Sequence, residues 1–118
     1  MKPYVTLITL GVDDLERALR FYRDGLGLPT PGIVGQEFEY GSVVFIPLQA
    51  GLGLALWERK SLAHDAGLPL GPRSATEFTL AHNVGSEAEV DAVLAQAAAA
   101  GATLTKPAGP TFWGGYAG

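Results

Sequence analysis

An α+β fold built from two successive strand-helix modules is the class this sequence predicts, and three observations carry it. Residues Val5 to Leu10 form a β-branched and aliphatic run, and at Asp13 the apolar period changes from two to about 3.6. The same order of events recurs downstream: Val12, Ala18, Phe21 and Tyr22 are matched by Val84, Val90, Val93 and Leu94, each 72 positions later. Between the two lie Val43 to Leu48 and Leu52 to Trp57, strand-like runs joined by Gln49-Ala50-Gly51, which reads as a hairpin turn.

Taken in order, the first helix presents Leu15, Ala18, Leu19, Phe21, Tyr22 and Leu26 on one face. Asp13 and Asp14 stand where an N-cap oxygen is needed, Glu16 completes a box with Asp13, and Arg20 and Arg23 sit near the negative end of the helix dipole. Gly25 and Gly27 end the helix, and Pro29 and Pro31 mark a loop. Gln36 to Tyr40 reads as a short strand, with Glu37 and Glu39 on one face and Phe38 and Tyr40 on the other. Pro47 requires its strand to be an edge or bulged there. The first module, residues 1–59, is therefore β-α-β-β-β.

Residues 60–76 turn polar and rich in Gly and Pro, with a short helix over Ser61 to Ala66, and read as a linker. The second module, residues 77–118, starts with a strand over Phe78 to Val84. A helix follows, opened by a Ser86/Glu89 capping box and stopped before Gly101. Thr103 to Lys106 reads as its next strand, Pro107 and Pro110 flank a turn, and the chain finishes on the aromatic, glycine-rich Thr111 to Gly118. Against the first module as template, the second lacks its closing hairpin. A longer native chain, or a partner that shields the open strand edge, is the expectation.

Composition removes several classes of function. At 118 residues the chain is one domain with enough length for a core. It has no cysteine, so disulfides, thiolate nucleophiles and cysteine metal sites are excluded, and a reducing cytoplasm suits it. The net charge is −4 and the basic residues are scattered, which argues against nucleic acid. Met1-Lys2-Pro3 leads directly into a strand without a signal-peptide layout, and Pro47 and Gln49 break the longest apolar run, so no membrane span is expected. Neither a Ser-His-Asp nor a Cys-His set is readable, and Gly25-Leu26-Gly27 is a helix terminator, not a phosphate loop.

TLGVDDLERALRFYRDGLGL, the hairpin ending LALWERKSL, and FTLAHNVGSEAEVDAVLAQAAAAGATLTKPAG with FWGGYAG together resemble the vicinal oxygen chelate superfamily. That superfamily includes glyoxalase I, bleomycin-resistance proteins and extradiol dioxygenases. The likeness spans essentially the whole chain and implies paired βαβββ modules whose mixed sheet curls around a cavity, often in a dimer. Metal-dependent members carry a His on the first strand of each module and a Glu on the last, ligands that hold a divalent ion with positions open for substrate oxygens. Registered on the motif, those positions fall on Leu7, Thr79 and near Ala55, with the final Glu beyond Gly118. No readable ligand position carries a ligand.

His82 stands three residues past the expected position. Strand parity places it with Phe78, Leu80 and Val84 under the helices, as a hydrogen-bonded structural residue ahead of a ligand. His64, beside Asp65, reads as a solvated loop residue. The same parity, within the implied fold, turns Leu7, Thr9 and Gly11 toward the cavity with Thr79, Ala81 and Asn83, and adds Ala55 and Trp57 from the hairpin. Trp57, Phe112, Trp113 and Tyr116 serve either core packing or stacking on the planar part of a ligand.

Three functions compete on these residues. The first is metal-independent binding of a small organic molecule in an apolar pocket, of the bleomycin-resistance kind, with no cofactor. The second is a metalloenzyme, a glyoxalase-like lyase or extradiol-type dioxygenase, whose divalent ion is held by His82, Glu58 or a segment beyond Gly118. The third is a noncatalytic module that pairs two copies. A homodimer is expected, without nucleic-acid or membrane partners.

Overall fold

The β-branched run near the N-terminus forms β1, Leu7–Val12, and the expected hairpin forms β3, Val43–Pro47, and β4, Gly53–Glu58. With β2, Ile33–Val34, they make a four-stranded sheet in the order β1-β4-β3-β2. β1 runs parallel to β4, while β3 is antiparallel to both β4 and β2, so the sheet is mixed. The computed structural model describes residues 1–74 and 78–118. It divides into two units, Met1–Pro72 and Arg73–Gly118, and the expected start of the second module at residue 77 lies outside the described residues.

In the first unit, α1, Leu15–Leu19, lays Leu15 and Leu19 on Val44, Ile46, Leu54 and Leu56, and these six form a buried cluster. Ile8, Leu10 and Val12 of β1 pack against it from the same side of the sheet. Strand parity therefore sends the even-numbered residues of β1, β3 and β4 into the core. Burying a Leu or Ile of this kind contributes about 1.5–3 kcal/mol.

α1 is capped by Asp14, whose carboxylate accepts the Arg17 amide at 2.9 Å. This replaces the expected Asp13/Glu16 box: β1 extends to Val12, and the Asp13 carboxylate instead meets the Arg59 guanidinium at 3.2 Å. Beyond Leu19 the chain continues as a wider π turn, Arg20–Gly25, where a single α-helix was expected. The Leu26 amide donates to the Phe21 carbonyl at 2.9 Å. Adjacent residues diverge by about 100° on an α-helix. The wider turn reduces that divergence and leaves both Phe21 and Tyr22 half-buried, edge to face at 5.0 Å. Burial pushes the Tyr22 phenol above its ordinary pKa.

The residues 36–40, expected as a strand, form turns. The Phe38 amide donates to the Gly35 carbonyl and the Gly41 amide to the Phe38 carbonyl, at 3.1 and 3.0 Å. A Cβ at Gly41 would run into the Gly35 carbonyl and the Phe38 side chain, so the close approach excludes an extended path. Pro47 ends β3 where β2 no longer reaches, since β2 pairs only with Val43 and Val44. On the uncovered side the Thr30 hydroxyl donates to the Phe45 carbonyl at 2.6 Å. The helix expected over 61–66 forms as α2, Arg59–Ala66, and closes on Gly67 at φ 67°.

The second unit keeps the helix and loses the strands. α3, Glu87–Ala99, is capped by the Ser86 hydroxyl, which accepts the Glu89 amide at 3.2 Å, while the Glu89 carboxylate takes the Gly85 amide at 2.6 Å. Phe78 to Val84 and Thr103 to Lys106, both expected as strands, carry no strand pairing among the described residues. A strand exists only through hydrogen bonds to a neighbour. The expectation that His82 packs with Phe78 and Leu80 under the helices is overturned with it, for all three side chains are exposed. The aromatic end instead forms a two-stranded hairpin, β5, Gly109–Pro110, with β6, Tyr116–Ala117.

Candidate functional site

Opposite the core, the sheet of the first unit presents its odd-numbered residues, and strand register lines them up in three rows. Leu7, Gly53 and Pro47 form the first, Thr9, Ala55 and Phe45 the second, and Gly11, Trp57 and Val43 the third. The five residues of this unit expected to face a cavity, Leu7, Thr9, Gly11, Ala55 and Trp57, thus share one face, with one hydroxyl and one indole N–H among otherwise apolar groups. Ala55 is 1 % exposed, so its neighbours cover it in the middle row of this face.

An open groove of about 510 Å³ lies at the first-row end, where Leu7, Phe45, Pro47 and Gly53 meet the Gln49–Gly51 turn. Of the expected residues only Leu7 lines it. Phe45 and Pro47 were missed by sequence reasoning, although the hairpin itself pairs them with Ala55 and Gly53.

The third-row end is closed by α2. A Cβ at Gly11 would stand 3.1 Å from Arg59 Cγ and 3.3 Å from Leu62 Cδ2, so glycine permits the helix to lie on the sheet there. Arg59 fastens it by its contact with Asp13 and by donating to the Gly71 carbonyl. Beside it the indole N–H of Trp57 donates to the Tyr40 carbonyl at 2.8 Å. The Tyr40 ring stacks on His64 at 4.1 Å, with the planes 17° apart. His64 stays exposed as expected, but it lies on the helix α2 with its ring against Tyr40, where a loop residue was expected. A polar cleft of about 470 Å³ lies alongside, lined by Glu39, Tyr40, Ser42, Glu58, Lys60 and Ser61. Glu58 is paired there with Lys60 at 3.0 Å.

The expected residues of the second unit are dispersed within it. Thr79, Ala81 and Asn83 lie in an exposed segment without regular secondary structure that also carries His82. Trp113 sits in the turn between β5 and β6, packed edge to face with Phe112 at 4.8 Å and beneath the Lys106 ammonium at 5.8 Å. Tyr116 donates its hydroxyl to Asp91 of α3 at 2.9 Å, and this bond holds the phenol above its ordinary pKa. Among the described residues, no three His, Asp or Glu side chains lie close enough together to hold a metal ion.

No curated protein matches this sequence. Solved structures do. A glyoxalase-related enzyme from Fulvimarina pelagi is 34% identical, with a TM-score of 0.80 over 97% of this chain and 76% of that one. Lactoylglutathione lyase from Agrobacterium tumefaciens shares the fold at 23% identity, with a TM-score of 0.64 over 98% of this chain and 83% of that one. So does a fosfomycin resistance protein from Listeria monocytogenes, at 23% identity and a TM-score of 0.55 over 96% and 75% of the two chains. A family model matches residues 5–118, and the chain belongs to the Glyoxalase/Bleomycin resistance protein/Dioxygenase superfamily.

Proposed function

We propose that this protein binds a small, largely apolar organic molecule on the odd-numbered face of its first sheet, without a metal ion. The carrying observation is the chemistry of that face: Leu7 stands where, and Ala55 near where, metal-dependent relatives are expected to carry His and Glu, and their row neighbours are Gly53, Pro47, Thr9 and Phe45. None of these side chains offers the imidazole or carboxylate that a divalent ion requires. The residues therefore do not fit the metal that the fold family implies. The alternative ligand Glu58 is paired with Lys60, and Thr79 at the second-module position bears only a hydroxyl. Apolar walls with few polar groups suit a neutral ligand, which gains from leaving water and needs only one or two hydrogen bonds to be oriented.

A homodimer and a cytoplasmic setting belong to the same reading. The exposed Phe78, Leu80 and Leu104 of the second unit support a partner surface, and no helix among the described residues is long and apolar enough to cross a membrane. Titration with the neutral probe N-phenyl-1-naphthylamine tests the pocket. Saturable binding is expected, unchanged by EDTA and weakened by Phe45→Ala. A stoichiometric divalent ion whose removal abolishes ligand binding sinks the reading.

A further inference from the structure

Tyr40 is the one residue other than glycine with a positive φ among the described residues, at 60°. An aromatic side chain is strained there, and such a conformation persists only where neighbours over-determine it. Two contacts do so, and both lead to the proposed ligand face. The Tyr40 carbonyl accepts the Trp57 indole N–H, and its ring lies flat on the His64 imidazole. Trp57 belongs to the third row of that face, and His64 is on α2, the helix that closes the face at Gly11.

We infer that Tyr40 and His64 form a clasp that positions Trp57, so that the sheet face ends in a rigid indole ring and not in a mobile one. The inference rests on the binding face proposed above. An unrestrained Trp exchanges between χ1 and χ2 rotamers, and a ligand that fixes one must offset the lost freedom. Here the rotamer is fixed in advance by a hydrogen bond to a backbone carbonyl, and that carbonyl is held in place by the ring stack.

The consequence for the ligand is specific. Indole has a single N–H and no acceptor, and in Trp57 that donor is already used. Trp57 therefore offers a ligand only its π surface. The matching ligand end is a planar ring or an apolar edge, and a hydroxyl or carboxylate placed there would find no donor from Trp57. The polar cleft lined by Glu39, Ser42 and Lys60 meets Tyr40 too, so water has access to the clasp from that side.

Tyr40 and His64 are positioning residues, and they are tested through Trp57 itself. In a Trp113→Phe background Trp57 is the sole indole, so acrylamide quenching of tryptophan fluorescence reports its exposure. His64→Ala is expected to raise the quenching constant and to weaken N-phenyl-1-naphthylamine binding by about threefold, the size a lost ring pair gives in affinity. His64→Phe, which keeps a stacking ring, is expected to restore both. Tyr40→Gly, which suits the positive φ and removes the ring, is expected to behave as His64→Ala without loss of fold by circular dichroism.

Unchanged quenching in His64→Ala and Tyr40→Gly overturns the clasp. Raised quenching with unchanged probe affinity overturns its role in ligand positioning. A parent protein that fails to bind the probe while His64→Ala still raises quenching removes the pocket reading, and leaves the clasp supported as the device that orients Trp57.

Discussion

The two units begin from the same plan, a strand-like run followed by a capped helix, and arrive at different packing. In the first, Leu15, Leu19, Val44, Ile46, Leu54 and Leu56 are each 5 % exposed or less. In the second, α3 buries none of its residues, and Phe78, Leu80, Leu104, Phe112 and Trp113 stay exposed. The difference lies in the hairpin. β3 and β4 give α1 a sheet to lie on, whereas among the described residues of its unit α3 has only the two-residue strands β5 and β6. A helix, a two-stranded hairpin and an unpaired segment do not enclose a volume, so apolar periodicity alone gives the described residues of the second unit no buried core.

The sharpest test of that contrast is a matched pair of truncations. Leu56→Ala, at a position fully closed to solvent, is expected to cost about 2–5 kcal/mol in urea unfolding followed by circular dichroism. Leu94→Ala, on the half-buried face of α3, is expected to cost about 1 kcal/mol. Equal losses would mean that the second unit carries a core of its own weight.

Glycine substitutions probe the same division more finely. Gly41→Ala drives a methyl into the Gly35 carbonyl and is expected to cost about 1–3 kcal/mol. Gly101→Ala meets nothing within 4 Å and carries only the strain of its φ of 104°, about 1–2 kcal/mol. Thermal midpoints of the two variants rank them, and the reverse order would mean that backbone strain at Gly101 outweighs the close approach at Gly41.

The caps separate global from local stability. Asp14→Ala and Ser86→Ala each remove one bond to a first-turn amide, worth about 1 kcal/mol. Asp14→Ala is expected to lower the urea midpoint, because α1 is part of the core. Ser86→Ala is expected to show as faster amide exchange at the start of α3 with a smaller shift in midpoint. A larger midpoint shift from Ser86→Ala breaks the comparison.

The smallest effect is electrostatic. The bond from Tyr116 to Asp91 raises the phenol pKa in the folded chain, so the folded state holds that proton more tightly than the unfolded one. The stabilisation is present below the ordinary tyrosine range and is lost as pH rises through the raised folded value. Phenolate absorbance across alkaline pH, with Tyr116→Phe as reference, follows it. A Tyr116 that titrates below an ordinary tyrosine would contradict the bond.

Family membership was legible because TLGVDDLERALRFYRDGLGL and LALWERKSL combine a period, a cap and a hairpin in a fixed order. Leu7, Thr9, Ala55 and Trp57 were legible as one face because β parity is a local property of the chain. Of the repeat, the capped helix was legible, and Asp14 and Ser86, the two caps, stand 72 positions apart.

Amide and carbonyl partners are a different matter, because a sequence states what can pair and not what is near enough to do so. The Phe78–Val84 run has strand composition and no strand pairing among the described residues, and Gln36–Tyr40 alternates correctly yet turns. The Tyr40 and His64 contact joins residues whose spacing signals nothing, and it exists only because α2 returns across the end of the sheet. Periodicity, caps and family were set by the chain itself, since each depends on residues within a few positions of one another. Which strand finds a neighbour, and which ring meets which, was decided by the tertiary structure, since those contacts form between segments far apart in sequence.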